Sequence, residues 1–94
     1  MMDYKTVSGK INKHNVVIYT ISTCMWCTQL KRKLKQNDVE YTYLDVDLCD
    51  EMDELRPKLR RYRPNLAFPM MFIDDEFISN EYIDEKISDL VEDG

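Results

Sequence analysis

With 94 residues the chain is long enough for one core without metal or disulfide staples, and 44% hydrophobic residues, 33% charged and only two glycines read as a compact globule and not a disordered chain. Its net charge of −5 argues against nucleic-acid binding, because phosphate would repel the chain as a whole. Three cysteines are too few for a disulfide scaffold and point to a reducing cytoplasm. The opening Met1-Met2-Asp3-Tyr4-Lys5 has no signal-peptide pattern, and no apolar run nears the ~20 residues that cross a membrane.

The expected organisation is a single domain, 1–94, with residues 1–14 as an N-terminal extension. Tyr4-Lys5-Thr6-Val7 has the makings of a short strand, with Ser8-Gly9-Lys10 as a turn. Residues 15–20 read as a strand, β-branched and aromatic without interruption after Asn15, the pattern of a central strand covered on both faces. Thr23-Cys24-Met25-Trp26-Cys27 follows and opens a helix over residues 24–37, with Thr23 as its cap and Cys27, Leu30 and Leu34 at helical spacing. Two cysteines separated by two residues at a strand-to-helix junction form a redox arrangement. Backbone N–H groups and the positive end of the dipole favour a thiolate at Cys24, and Cys27 one turn on is placed to resolve a mixed disulfide.

Residues 40–47 predict a second strand, with Leu44 and Val46 on one face and Tyr41, Tyr43, Asp45 and Asp47 on the other. Asp50 is the predicted cap of a second helix carrying Met52, Leu55, Leu59 and Tyr62 on one side, and Pro64 ends it. Pro57 lies inside that pattern, so a kink or a break into two segments is expected, at about 3 kcal/mol. Met70-Met71-Phe72-Ile73 and Glu76-Phe77-Ile78-Ser79 read as a hairpin turned by Asp74-Asp75. Asn80 is the predicted cap of a last helix with Ile83, Ile87, Leu90 and Val91 on one face.

Charge is segregated along the chain. Lys31, Arg32, Lys33 and Lys35 follow the CxxC, and Arg56, Lys58, Arg60, Arg61 and Arg63 form a second basic group, whereas the acids of residues 74–94 face only Lys86. These are either solvated helix faces of opposite sign or, near Cys24, a field that steers an acidic partner and supports the thiolate.

A CxxC ending the first main strand, an X-Pro before a β-hairpin and the order βαβαββα resemble the thioredoxin fold: an α/β four-stranded mixed sheet flanked by helices, here with a possible extra N-terminal strand. Within that fold, residues 15–92 resemble the glutaredoxins and the NrdH-type redoxins. The likeness rests on Ser22 to Cys27 (Ser-Thr-Cys-x-Trp-Cys) and Pro64 to Pro69 (Pro-Asn-Leu-x-Phe-Pro), shared with short archaeal and bacterial glutaredoxin-like proteins.

The resemblance implies that Pro69 is a cis-proline facing the CxxC and that the Phe68 backbone pairs with a substrate like an added strand. It also implies a thiol–disulfide oxidoreductase that reduces protein disulfides through Cys24 and Cys27. The pair itself carries the electrons as a redox-active disulfide, so no bound cofactor is required. Met25 and Trp26, locked between the sulfurs, are candidates to dock the substrate. Met70 is read as strand packing that also edges the substrate groove.

The chain departs from glutathione-using relatives. Ile21 stands where they carry Lys or Arg three positions before the first cysteine, and Ser79-Asn80-Glu81 replaces their Gly-Gly turn and acid. A buried Asp six positions before the first cysteine, usual in thioredoxins proper, is replaced by Ile18. The expected reductant is therefore a thioredoxin-type or ferredoxin-linked reductase. A protein disulfide such as that of a ribonucleotide reductase is the expected substrate, and the protein a monomer with neither membrane nor nucleic-acid partner. The alternatives are a glutathione-dependent glutaredoxin and a zinc or iron–sulfur module built on the CxxC. The latter lacks ligands, since only Cys49 and His14 remain. Cys49, between acids, is read as a bystander thiol, His14 as a surface residue, and Tyr41, Tyr43, Tyr62 and Tyr82 as packing and surface.

Overall fold

A computed structural model of the chain describes residues 4–93; Met1, Met2, Asp3 and Gly94, and with them part of the expected N-terminal extension, lie outside the described residues. The elements are β1 (Lys5–Val7), β2 (Val16–Thr20), α1 (Met25–Gln36), β3 (Tyr41–Asp45), α2 (Met52–Arg60), β4 (Met70–Ile73), β5 (Glu76–Ile78) and α3 (Ile83–Asp93). Single 3-10 turns at Val46–Leu48 and Asn80–Tyr82 precede α2 and α3. The strands form one mixed sheet in the order β1-β3-β2-β4-β5. α1 is the crossover that lets β3 lie parallel to β2, while β4 runs antiparallel on its other side.

The short N-terminal strand is present and pairs antiparallel with β3, Lys5 opposite Tyr43. The sheet therefore has five strands. Residues 8–11 return beside the end of α1, where an Ile11–Val39 bridge is made. At Gly9 a Cβ would fall 2.6–2.8 Å from backbone atoms of Glu40, Asp38 and Val39, so this approach requires glycine.

Alternation along the strands divides the core in two. Ile18, Leu30, Leu34, Tyr41, Met71, Ile87 and Leu90 fill the side covered by α1 and α3. Leu44, Val46, Leu55, Leu59, Met70 and Phe72 fill the side covered by α2, with Val17 and Tyr19 half-buried against them. β2 is thus fully covered on one face and half-covered on the other, because the short α2 spans less of the sheet. Tyr62 lies beyond α2 yet lays its ring edge-on to Phe72, with centroids 4.9 Å apart.

Three helix starts, the course of α2 and the end of β3 differ from expectation. Cys24, not Thr23, caps α1, because its extended backbone lets the sulfur accept the N–H of Cys27 at 3.4 Å. Glu51, not Asp50, holds the cap position of α2, with no side-chain cap bond. α2 continues through Pro57 without a break. Asp53, Pro57 and their neighbours Arg56 and Lys58 are exposed, so water can satisfy the carbonyl that proline leaves unpaired while Leu55 and Leu59 hold the buried side. Asn80 opens a 3-10 turn rather than capping α3, and β3 ends at Asp45, two residues early, because Val46 turns into the core.

The hairpin turn is as read: Asp74 and Asp75 both have positive φ, the geometry of a tight two-residue turn. Asp74 also ties the turn to the start of β2. Its carboxylate accepts the Asn15 N–H at 2.8 Å and lies 2.6 Å from His14 Nδ1, while His14 Nε2 is 3.6 Å from Asp93. The hydrogen bond to Asp74 raises the His14 pKa above its ordinary 6.5. A group whose pKa is raised on folding contributes stability below its unfolded pKa and loses it as pH rises through the folded one. His14→Gln is therefore expected to lower denaturant stability at about pH 5.5 and to leave it unchanged at about pH 8.5, with His14 titrating above 6.5 in the NMR spectrum of the wild type.

Candidate active site

The sulfur chemistry is placed where β2 gives way to α1. The Cys24 N–H donates to the Ile21 carbonyl at 3.1 Å, closing the turn, and the Cys24 carbonyl takes the first helical bond from Thr28 N–H at 3.1 Å. The loop is held from the far side by Asp47, which accepts Ser22 N–H at 2.9 Å and Ser22 Oγ–H at 2.5 Å. The Ser22 hydroxyl keeps the Asp47 carboxyl below its usual value. Cys24 is thus fixed by backbone and cap bonds while its sulfur stays partly accessible.

The two thiols are electrostatically unequal. Burial pushes the Cys24 thiol up, but hydrogen bonds from the Cys27 thiol and from the Cys27 and Trp26 N–H groups outweigh it, and the net result is a lowered pKa. Cys27 is 1% exposed, and burial pushes its thiol up to about 12. A site with one accessible low-pKa sulfur and one buried high-pKa sulfur can attack with the first and resolve with the second. Cys49 is not part of it: burial and its bond to Glu51, 3.1 Å away, raise its pKa. Among the described residues no group of three or more His, Cys, Asp or Glu side chains stands where it could hold a metal ion.

The other expected site residues fall on two sides of the dithiol. Met25 and Trp26 are 65% and 67% exposed beside Cys24, large apolar side chains left in solvent. The Phe68–Pro69 bond is cis. Trp26, Phe68 and Pro69 line a groove of about 470 Å³ with Asn80 from the 3-10 turn before α3 and Ile83 and Asp84 at its start. Met70 stands apart from this group. Its side chain is fully buried under α2, because the strand alternation that sends Met71 towards α1 and α3 sends Met70 to the opposite face, so it does not edge the groove.

Sequence reading missed the α3 wall of the groove and, among the described residues, its one lining cation, Lys33, which is ion-paired with Asp84. The signal available was a basic α1 and an acidic α3, which the topology brings side by side. It also missed Asp47. Only the register of β3 against β2, which sets Thr20 opposite Asp45, carries that acid to the loop before Cys24.

A family model described as Glutaredoxin matches residues 16–78. The crystal structure of a glutaredoxin from Methanosarcina mazei Go1 superposes with a TM-score of 0.74 at 31% identity, covering 89% of this chain and 86% of that one. Methanoredoxin from Methanosarcina acetivorans superposes with a TM-score of 0.68 at 26% identity, covering 86% and 95%. An uncharacterised glutaredoxin-like 8.6 kDa protein in the rubredoxin operon of Clostridium pasteurianum is 32% identical over 63 residues, 67% of this chain and 80% of its own. With a dithiol at the cap of α1 in a thioredoxin fold, the chain belongs to the glutaredoxin family and has a thiol redox role.

Proposed function

We propose that the protein reduces disulfides in other proteins and is recharged by a dithiol reductase rather than by glutathione. Cys24 attacks the substrate disulfide and forms a mixed disulfide. Cys27 then attacks Cys24, the substrate leaves as a thiol, and the oxidised Cys24–Cys27 pair is returned to two thiols by a thioredoxin-type or ferredoxin-linked reductase. Exposed Met25 and Trp26 meet the apolar surface of a protein partner, and Phe68 beside the cis peptide offers its backbone to an extended segment.

The observation that carries the choice of reductant is the charge of the groove. Its only lining cation, among the described residues, is Lys33, which is occupied by Asp84, and Glu81 and Glu85 add further negative charge at the same end. Glutathione carries two carboxylates, so such a groove disfavours it, in keeping with Ile21 and the absence of a Gly-Gly turn. The test is an insulin-disulfide reduction assay run with two electron supplies, glutathione with its reductase or a thioredoxin-type reductase system. Turnover is expected with the second and near-background rates with the first. Equal or better turnover on glutathione overturns the choice of reductant, and no turnover on either overturns the activity.

A further inference from the structure

In the elements that flank the buried cysteine lies a set of polar groups, one buried and two part-buried, that the exchange steps above do not use. Thr20, 0% exposed at the end of β2, donates its hydroxyl to Asp45 at 2.5 Å. Asp45 also accepts from Lys31 Nζ at 3.0 Å, and the two charged side chains are only 19% and 24% exposed. The Lys31 ammonium lies 4.1 Å from the centre of the Tyr43 ring. Lys31 stands four residues after Cys27, on the same side of α1 as the buried stripe of Cys27, Leu30 and Leu34. The backbone N–H of Ile21, the residue after Thr20, works to lower the Cys27 thiol against burial. Sequence spacing thus sets Lys31 one helical turn from the resolving thiol, and Thr20 ties the ion pair to the strand that leads into the cysteine loop.

A part-buried ion pair is weak evidence of a stabilising role, since well-packed apolar residues often do as well. A cation fixed beside a thiol that must ionise has a use. We propose that Lys31, positioned by Asp45 and Thr20, stabilises the Cys27 thiolate while it displaces the substrate from Cys24. This rests on the dithiol exchange proposed above. In that step a Cys27–Cys24 bond forms and the Cys24–substrate S–S bond breaks. The substrate sulfur leaves with the bonding pair and takes up the proton that Cys27 gave up, so Cys27 is oxidised as the substrate is reduced. Lys31 loses no proton. The groups facing it are Tyr43 and Asp45 from β3 and Asp47 from the turn that follows; Cys24 faces Cys27. The Lys31 charge lowers the Cys27 thiol against the larger upward push of burial.

The two half-steps separate in a single-turnover reaction with DTNB, run in a Cys49→Ser background. Cys24 releases the first thionitrobenzoate and retains its twin, which Cys27 then expels. Lys31→Met is expected to slow the second release about tenfold at neutral pH and to move its pH midpoint upward, with the first release unchanged, and Lys31→Arg to restore it. Asp45→Asn keeps the shape and leaves Lys31 uncompensated, so it is expected to move the midpoint downward. A purely structural pair would shift both variants in the same direction and slow both phases. That result, an unmoved second phase in Lys31→Met, or failure of Lys31→Arg to restore it, overturns the proposal. A missing first phase removes the exchange reading itself, and the proposal with it.

Discussion

Cys24→Ser is expected to abolish disulfide reduction while leaving the protein as stable as before. The hydroxyl is too weak an acid to replace a low-pKa thiol as nucleophile, so turnover should fall to the rate without protein. Serine is nevertheless among the preferred helix caps, and at this position it can accept the same Cys27 N–H that the sulfur now accepts. Melting temperature should therefore stay within a few degrees. Cys27→Ser should fail differently. Cys24 still attacks, but nothing resolves the adduct, and a stoichiometric mixed disulfide with the substrate should accumulate and be visible in the intact mass. An active Cys24→Ser protein would mean that another group does the chemistry.

The largest effect on stability is expected at Leu34. It is completely buried on α1, in the cluster that joins α1 and α3 to the sheet. Truncation to alanine at such a site costs about 2–5 kcal/mol, depending on how far the surroundings close in. Against a typical stability of roughly 5–15 kcal/mol, this lowers the melting temperature of a domain this size by roughly 10–30 °C. Val91→Ala on α3 is the matching control. Val91 was expected on the packed face of the last helix but is 39% exposed, so its truncation should change the midpoint by a few degrees at most. If both variants melt alike, the division between packed and exposed helix faces is wrong.

What could be read from the chain in advance were features with local causes. The β-branched run at residues 16–20, the apolar spacing of Leu30 and Leu34, the hairpin turned by Asp74-Asp75 and the cysteine pair each carry their signal within a few residues. Helix starts carried it less well. Thr23, Asp50 and Asn80 all have capping side chains, but capping depends on which residue takes the extended conformation, and at α1 the chain gives that place to a sulfur. Pro57 was weighed as a helix breaker because spacing alone does not show that the lost bond faces water. The site's supporting groups were least legible. Thr20, Lys31 and Asp45 come from three elements and meet only through the β2–β3 register, and the groove exists because α3 folds back beside α1.

The sulfur that caps α1 couples the redox couple to the helix. In the dithiol form the Cys24 sulfur accepts the Cys27 N–H in the first turn of α1, and that turn favours its thiolate over its thiol; once oxidised, the sulfur can carry no charge. Whatever tightens that first turn therefore favours the dithiol, raises the reduction potential and makes the protein a stronger oxidant, while whatever frays it makes the protein a better donor. Met25 and Trp26 lie exposed within that turn, so under the proposed docking a partner's grip on them would bear on the poise of the couple as well as on encounter.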